Sequence, residues 1–90
     1  MDVRYYIDPR TGEPHIYSHA VNEREVKDVL GRPMEDRPGR EGSRIAIGQT
    51  RGGRYLYVAA GQPGSVFVIT AYELGPNALR ALRRRRKKKV

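Results

Sequence analysis

The sequence contains no cysteine and only three serines, Ser18, Ser43 and Ser65. Without cysteine the chain cannot form a disulfide, a thiolate metal site or a cysteine nucleophile, and this composition fits a reducing compartment. None of the three serines lies in the strand-turn-helix context of a nucleophile elbow. Hydrolysis through an acyl-enzyme is therefore unsupported.

Long apolar segments are also missing. No run approaches the roughly 18 residues that cross a bilayer, and residues 1–6 lack the basic and then apolar arrangement of a secretion signal. Gly48, Gly52 and Gly53 are not followed by the Lys-Ser/Thr pair of a phosphate-binding loop. We therefore expect a cytoplasmic protein with no membrane partner and no small-molecule cofactor.

The positive charge is confined to one end of the chain. Of the net charge of +8, residues 80–90 contribute 8 basic groups, whereas residues 1–79 hold 10 basic and 10 acidic groups. Such a tail favours RNA or another polyanion through counterion release; the alternative is a solvated terminus. The 90 residues make one domain with a modest core. We divide the chain into an α+β domain at residues 1–82 and a basic tail at residues 83–90.

Three apolar segments, at residues 44–50, 55–60 and 65–72, predict the strands of a small twisted antiparallel meander. Glycines at residues 52–53 and a Pro-Gly pair at residues 63–64 supply the two turns. Alternation defines two faces of the third strand: Phe67, Ile69 and Ala71 on one, and Val66, Val68, Thr70 and Tyr72 on the other. Because both faces are largely apolar, we expect this strand to be central and covered on each side.

The remaining segments predict two helices and an N-terminal hairpin. Short strands at residues 3–7 and 15–18 flank a turn at residues 8–12. Asn22 and Glu25 have the spacing of a capping box, so a short helix packed on the sheet begins at Glu23 and extends to Leu30. A polar loop with a short edge strand at its start follows at residues 34–43. Pro76 fits the first turn of a basic C-terminal helix.

Two kinds of residue suggest chemistry. His15 and His19 are four residues apart, but no third ligand accompanies them, and we assign no metal site. His19 is a candidate for proton transfer in RNA cleavage, the alternative being a structural histidine. Arginines bind phosphates and tyrosines stack on unpaired bases, unless they only fill space or remain solvated. The candidate RNA contacts are Arg44, Arg54, Tyr57, Arg80, Arg83, Arg84, Arg85, Arg86 and Lys87.

The wetter face of the sheet is the expected position of a ligand. Arg44, Gln49, Tyr55 and Tyr57 give the first two strands of the meander this polar character. A binding surface that combines guanidinium and phenol groups suits single-stranded RNA.

Three segments resemble the BrnT-type toxins of bacterial type II toxin–antitoxin systems and their small relatives, which share the RelE/ParE-like fold. Residues 19–33 are similar to the short family helix that follows a His and ends before a Pro. Residues 44–58 are similar to its Ile-Gly, hairpin and Gly-Arg pattern. Residues 66–72, followed by Leu79, Arg80 and Arg83, resemble its last strand and basic helix. The likeness covers most of residues 15–86.

The resemblance implies a ribosome-dependent or free ribonuclease, or an inhibitor of another nucleic-acid machine, that an antitoxin neutralises. Arg44, Arg54 and Arg80 would contact RNA. The chain departs from the family pattern at Tyr72, where an Arg is common, and at Leu82, which replaces an aromatic residue. Both departures could alter the activity.

These observations lead to three hypotheses. The first is a toxin-type endoribonuclease with His19, Arg54, Tyr72 and Arg80 as catalytic residues and RNA or the ribosome as partner. The second is a non-catalytic nucleic-acid- or ribosome-binding protein whose tail supplies most of the affinity. The third is an interaction module held by an acidic partner.

Overall fold

The computed structural model describes residues 2–61 and 66–87 of the chain. The strands are β1 (Val3–Tyr5), β2 (Ile7–Asp8), β3 (Glu13–Pro14), β4 (Glu35–Pro38), β5 (Arg44–Gln49), β6 (Tyr55–Ala60) and β7 (Val66–Glu73). The helices are α1 (Glu23–Gly31) and α2 (Pro76–Lys87), with short 3-10 helices at His15–His19 and Arg40–Gly42. The fold is a small α+β arrangement with a mixed five-stranded sheet and two α-helices.

The main sheet has the strand order β1-β7-β6-β5-β4. The predicted antiparallel meander of β5, β6 and β7 is confirmed, and β4 pairs antiparallel with β5 as the short edge strand. In contrast, β1 pairs parallel with β7, with Val3 opposite Val66 and Tyr5 opposite Val68. The sheet is therefore mixed, and the expectation of a wholly antiparallel sheet is wrong. The turn predicted at residues 63–64 lies outside the described residues.

Helix α1 covers one face of the sheet. The Asn22 side chain accepts a hydrogen bond from Glu25 N at 2.9 Å, and Asn22 N donates to Glu25 Oε1 at 3.1 Å, which confirms the predicted capping box. Val26 and Val29 of the helix are buried in the main core. Gly48 of β5 allows the close approach, because an added Cβ would lie 3.3 Å from Val29 Cγ1.

A smaller apolar cluster lies on the opposite face, beneath α2. Leu82 is fully buried there with Ile45 and Ile47 of β5, and the half-buried Tyr55 and Tyr57 pack against them. The face expected to be wetter is thus partly covered by the C-terminal helix. Arg44 is not part of this cluster; it is exposed at the start of β5.

A bulge in β7 overturns the predicted division of its faces. Ala59 is opposite Thr70 and Ala60 is opposite Val68, so Ile69 is an extra residue between the two pairs. The extra residue brings Val68 and Ala71 to the same buried face. The predicted grouping of Ala71 with Phe67 and Ile69 is therefore wrong, as is that of Tyr72 with Val68. The strand is central as predicted, but the exposed Phe67 and Ile69 show that it is not covered on both faces.

The N-terminal hairpin is shorter than predicted. It pairs Ile7 with Pro14 and Asp8 with Glu13, and Thr11 N and Gly12 N close its turn by donating to Asp8 O. The second strand predicted at residues 15–18 is wrong, because that segment forms the 3-10 helix His15–His19. Within residues 2–61 and 66–87, no helix is both long and apolar enough to cross a membrane.

Candidate functional site

Five aromatic rings form a continuous row that crosses the edge of the sheet. The neighbouring ring centroids are separated by 6.2 Å (Tyr6 to His15), 5.3 Å (His15 to His19), 6.0 Å (His19 to Tyr72) and 4.8 Å (Tyr72 to Tyr57). The first three contacts are edge-to-face, and the last is stacked with an angle of 14° between the rings. We call this group the aromatic row. Three of the predicted site residues, His19, Tyr57 and Tyr72, meet within it.

The 3-10 helix positions both histidines. Ile16 is buried in the main core and holds the helix against β7, while His15 and His19 remain outside the core. His15 N donates to Tyr6 O at 2.9 Å, which ties the start of the helix to the segment after β1. Ala20 ends the helix in the left-handed conformation, with φ of 56°. The chain then turns into α1.

The sheet positions the two tyrosines of the row. Tyr57 of β6 and Tyr72 of β7 are directly opposite each other in the register, so their side chains lie on the same face and stack. Tyr57 is half-buried, whereas Tyr72 is exposed. Partial burial, together with the neighbouring Tyr57, raises the pKa of Tyr72 above its ordinary value. Tyr72 therefore stays a neutral phenol near pH 7.

Arg54 lies beside the row, but its guanidinium is occupied by partners within the chain. Its Nη1 donates to both carboxylate oxygens of Glu25 at 2.9 Å and to Ala20 O at 2.8 Å, and its Nε donates to Glu73 Oε1 at 3.2 Å. The hydrogen bond to Glu25 is the main cause that raises the pKa of Arg54. Arg54 thus joins α1, the end of the 3-10 helix and the end of β7. Its position resembles that of a structural residue more than that of a free phosphate ligand.

The other predicted basic residues fall into two groups. Arg44 pairs with Asp36, Arg85 donates to Glu35 at 2.7 and 3.0 Å, and Arg86 Nη1 donates to Met34 O at 3.1 Å. Glu35 also raises the pKa of Arg85. The second group makes no hydrogen bond outside α2 among the described residues: Arg80, which donates to the Asn77 amide oxygen, and the exposed Arg83, Arg84 and Lys87.

The sequence did not single out Asp8, which the fold brings to the aromatic row. Asp8 is only 5% exposed and accepts hydrogen bonds from Arg10 N at 2.9 Å and from Arg10 Nη2 at 3.2 Å. Its Oδ2 lies 3.4 Å from His15 Nδ1. The hydrogen bonds from Arg10 lower the pKa of Asp8 to about 2. The only signal in the sequence was its place before Pro9, which predicts a turn and gives no hint of the histidine.

The part of the chain that the structure describes contains no group of three or more His, Cys, Asp or Glu side chains able to hold a metal ion. Comparison of the chain with protein-family models, curated proteins and solved structures found no match. The following features of the site bear on its chemistry. It offers two imidazoles beside a neutral phenol, a stacked pair of tyrosines and a helix that carries five basic side chains without carboxylate partners among the described residues.

Proposed function

We propose that this protein acts on RNA as a toxin-type endoribonuclease with a RelE/ParE-like fold. The observation that carries the proposal is the contact of His19 with Tyr72, with ring centroids 6.0 Å apart, beside the stacked Tyr57. These residues come from three separated segments of the chain. An exposed imidazole next to exposed aromatic rings suits a site that holds an RNA strand and transfers protons at its backbone.

Binding would combine stacking with charge. An unpaired base can stack on the exposed Tyr72, which is itself stacked on Tyr57; such contacts contribute about 1–3 kcal/mol per base. Arg83, Arg84 and Lys87 on α2 would hold phosphates, because no carboxylate among the described residues neutralises them. Both contributions are independent of base sequence. We accordingly expect activity on RNA in the cytoplasm, either free or bound to ribosomes.

Arg80 is a better candidate than Arg54 for stabilising the negative charge of the transition state. Arg54 bonds to two carboxylates, whereas Arg80 bonds only to a neutral amide. A preorganised cationic donor that reaches the reacting phosphate changes the rate by about 10²–10³-fold. We therefore assign Arg80 to the reaction and Arg54 to the support of the 3-10 helix that presents His19.

The test is cleavage of labelled RNA by purified protein, with and without ribosomes. His19→Ala and Arg80→Ala should each lower the cleavage rate by about 100-fold while the protein stays folded. Tyr72→Phe keeps the ring and removes the hydroxyl, so it separates stacking from proton transfer. Arg85→Ala is the matched control, because Arg85 lies on the same helix but pairs with Glu35. A wild-type protein that cuts no RNA under either condition contradicts the nuclease proposal.

A second candidate is a non-catalytic RNA- or ribosome-binding protein. The observation that favours it concerns Arg54, the arginine beside the aromatic row. Glu25 and Glu73 neutralise its charge, so it is not available to stabilise a transition state. Retardation of RNA in a gel without cleavage would support this candidate. Its affinity should fall with salt, and each lost phosphate contact should reduce the log–log slope by about 0.7–0.9. Arg83→Ala should flatten the slope more than Arg85→Ala.

The resemblance to BrnT-type toxins adds the proposal of an antitoxin partner. Induction of the protein in a bacterial host should then arrest growth, and co-expression of the adjacent reading frame should relieve the arrest. The variant His19→Ala is the control, because it should abolish arrest if arrest depends on cleavage. Arrest that persists in His19→Ala would favour the binding candidate.

A further inference from the structure

We propose that His15 and His19 form the acid–base pair for RNA cleavage, with Asp8 as the positioning residue of His15. This inference rests on the proposed nuclease function. The two rings are 5.3 Å apart, and both remain outside the core. Asp8 Oδ2 lies 3.4 Å from His15 Nδ1. The carboxylate of Asp8 therefore neighbours the imidazole of His15, which in turn neighbours that of His19.

Hydrogen bonds keep Asp8 ionised and fix the orientation of its carboxylate relative to His15. Arg10 N and Arg10 Nη2 donate to it, and the hairpin turn of β2 and β3 fixes its backbone. A carboxylate beside Nδ1 favours the form of His15 that carries its proton there, which leaves Nε2 free to accept a proton. Among the described residues, Nε2 of His15 has no hydrogen-bond partner, and neither ring nitrogen of His19 has one.

The reaction that fits this pair is transphosphorylation. His15 Nε2 takes the proton of the ribose 2′-hydroxyl, the 2′-oxygen forms a bond to phosphorus, and the bond from phosphorus to the 5′-oxygen breaks. Protonated His19 gives its proton to the departing 5′-oxygen. The products are a 2′,3′-cyclic phosphate and a 5′-hydroxyl, and no electron acceptor or further reactant is needed. As His15 becomes an imidazolium, the Asp8 carboxylate stabilises its new charge.

The charged groups near the pair are Asp8, Arg10, Glu13, which lines the same small cavity as Asp8 and His15, and Arg54, which donates to Ala20 O next to His19. The ring of His15 contacts Tyr6 and His19, and its Nδ1 faces Asp8, which in turn is bonded to Arg10. The aromatic neighbours of the His19 ring among the described residues are His15 and Tyr72.

The experiment measures cleavage of a labelled RNA oligonucleotide, with ribosomes added where they prove necessary, across a range of pH. Wild-type activity should rise and fall with pH, because one imidazole must be neutral and the other protonated. His15→Gln and His19→Gln should each lower kcat by about 10²–10⁴-fold and remove one limb of the profile. Asp8→Asn should lower kcat but leave KM unchanged, because Asp8 does not touch the RNA. Imidazole in the buffer should restore part of the rate to His15→Gly.

Tyr17→Phe is the matched control, since Tyr17 lies in the same 3-10 helix but its hydroxyl bonds to Glu23 outside the aromatic row. It should cleave at the wild-type rate. A 2′-deoxy substitution at the cut should block cleavage. Wild-type rates in His15→Gln alongside an inactive His19→Gln would overturn the pair while leaving the nuclease proposal intact. Absence of any wild-type cleavage would overturn both, and a wild-type profile with a single limb would overturn the pair without recourse to a variant.

Discussion

Removal of Arg54 should destabilise the whole domain rather than only weaken a contact with RNA. The Arg54 side chain is 29% exposed, and its guanidinium bonds to Glu25, Glu73 and Ala20 O. Glu25 belongs to α1, Glu73 belongs to β7, and Ala20 ends the 3-10 helix His15–His19. Arg54→Ala therefore removes one side chain that joins three elements.

The magnitude follows from the partners that are left behind. Truncating one member of a fully buried ion pair destabilises by about 3–5 kcal/mol, and a hydrogen bond to a charged group contributes about 1.5–3 kcal/mol. Glu25 keeps its capping hydrogen bond from Asn22 N, and Glu73 is more than half exposed, so neither carboxylate is left wholly unsolvated. We therefore expect Arg54→Ala to lower the free energy of unfolding by about 2–3 kcal/mol.

Urea denaturation followed by circular dichroism measures this loss. With an m value of about 1 kcal/mol/M, the midpoint should fall by about 2–3 M without a change in slope. Glu73→Gln is a control on the exposed partner and should lower stability by less than about 1 kcal/mol. Glu25→Gln removes the charge but retains a side chain able to complete the capping box. An unchanged midpoint for Arg54→Ala, together with loss of RNA binding, would refute the structural role and return Arg54 to the RNA contacts.

Three further perturbations test the fold. Asn22→Ala should lower the free energy of unfolding by about 1 kcal/mol through loss of the cap, seen as a lower melting temperature; an unchanged value would contradict the cap. Leu82→Ala should lower it by about 2–5 kcal/mol and speed hydrogen exchange in α2, because Leu82 is fully buried; exchange rates equal to wild type would show that α2 does not depend on this anchor. The folded-state pKa of Asp8, about 2, lies below the unfolded value of about 3.9, so its contribution should be full above about pH 5 and lost as pH falls towards 2. Asp8→Asn should flatten that acid dependence in a pH series of melting temperatures; an equally steep decline in the variant would show that other carboxylates cause it.

Local patterns in the sequence were sufficient for much of the fold. The capping box at Asn22, the glycines before Arg54 and the proline that begins α2 each act within a few residues. The structure confirms the capping box, the hairpin between β5 and β6, and the helix that begins at Pro76. The register of β7 could not be predicted in the same way. The bulge adds one residue to the strand, and no change in the pattern of apolar residues shows where it lies. Ile69 looks like any other strand residue in the sequence.

The candidate site was only partly predictable for a related reason. His19 and Tyr72 were identified by their chemistry, but their contact depends on the packing of the 3-10 helix against β7. The Asp8 contact with His15 depends on a hairpin whose second strand was predicted too late in the chain. Whether an arginine is free or paired is likewise decided by distant residues. Arg54 and Arg80 look alike in the sequence and differ through Glu25 and Glu73 alone.

The parallel pairing of β1 with β7 also affects when the sheet and the aromatic row can be completed during synthesis. Val3 and Val66 are opposite each other, so the first strand to be made has to wait for the last strand of the sheet. Pairings of such long sequence separation form slowly, because a large loop must close before they contribute. The 3-10 helix packs on the same strand, and so His19 cannot meet Tyr72 until residues 66–73 have emerged. A nascent chain that ends with β6 contains four of the five rings, and the missing Tyr72 is the ring that joins His19 to Tyr57, so the aromatic row is continuous only after β7 has been made.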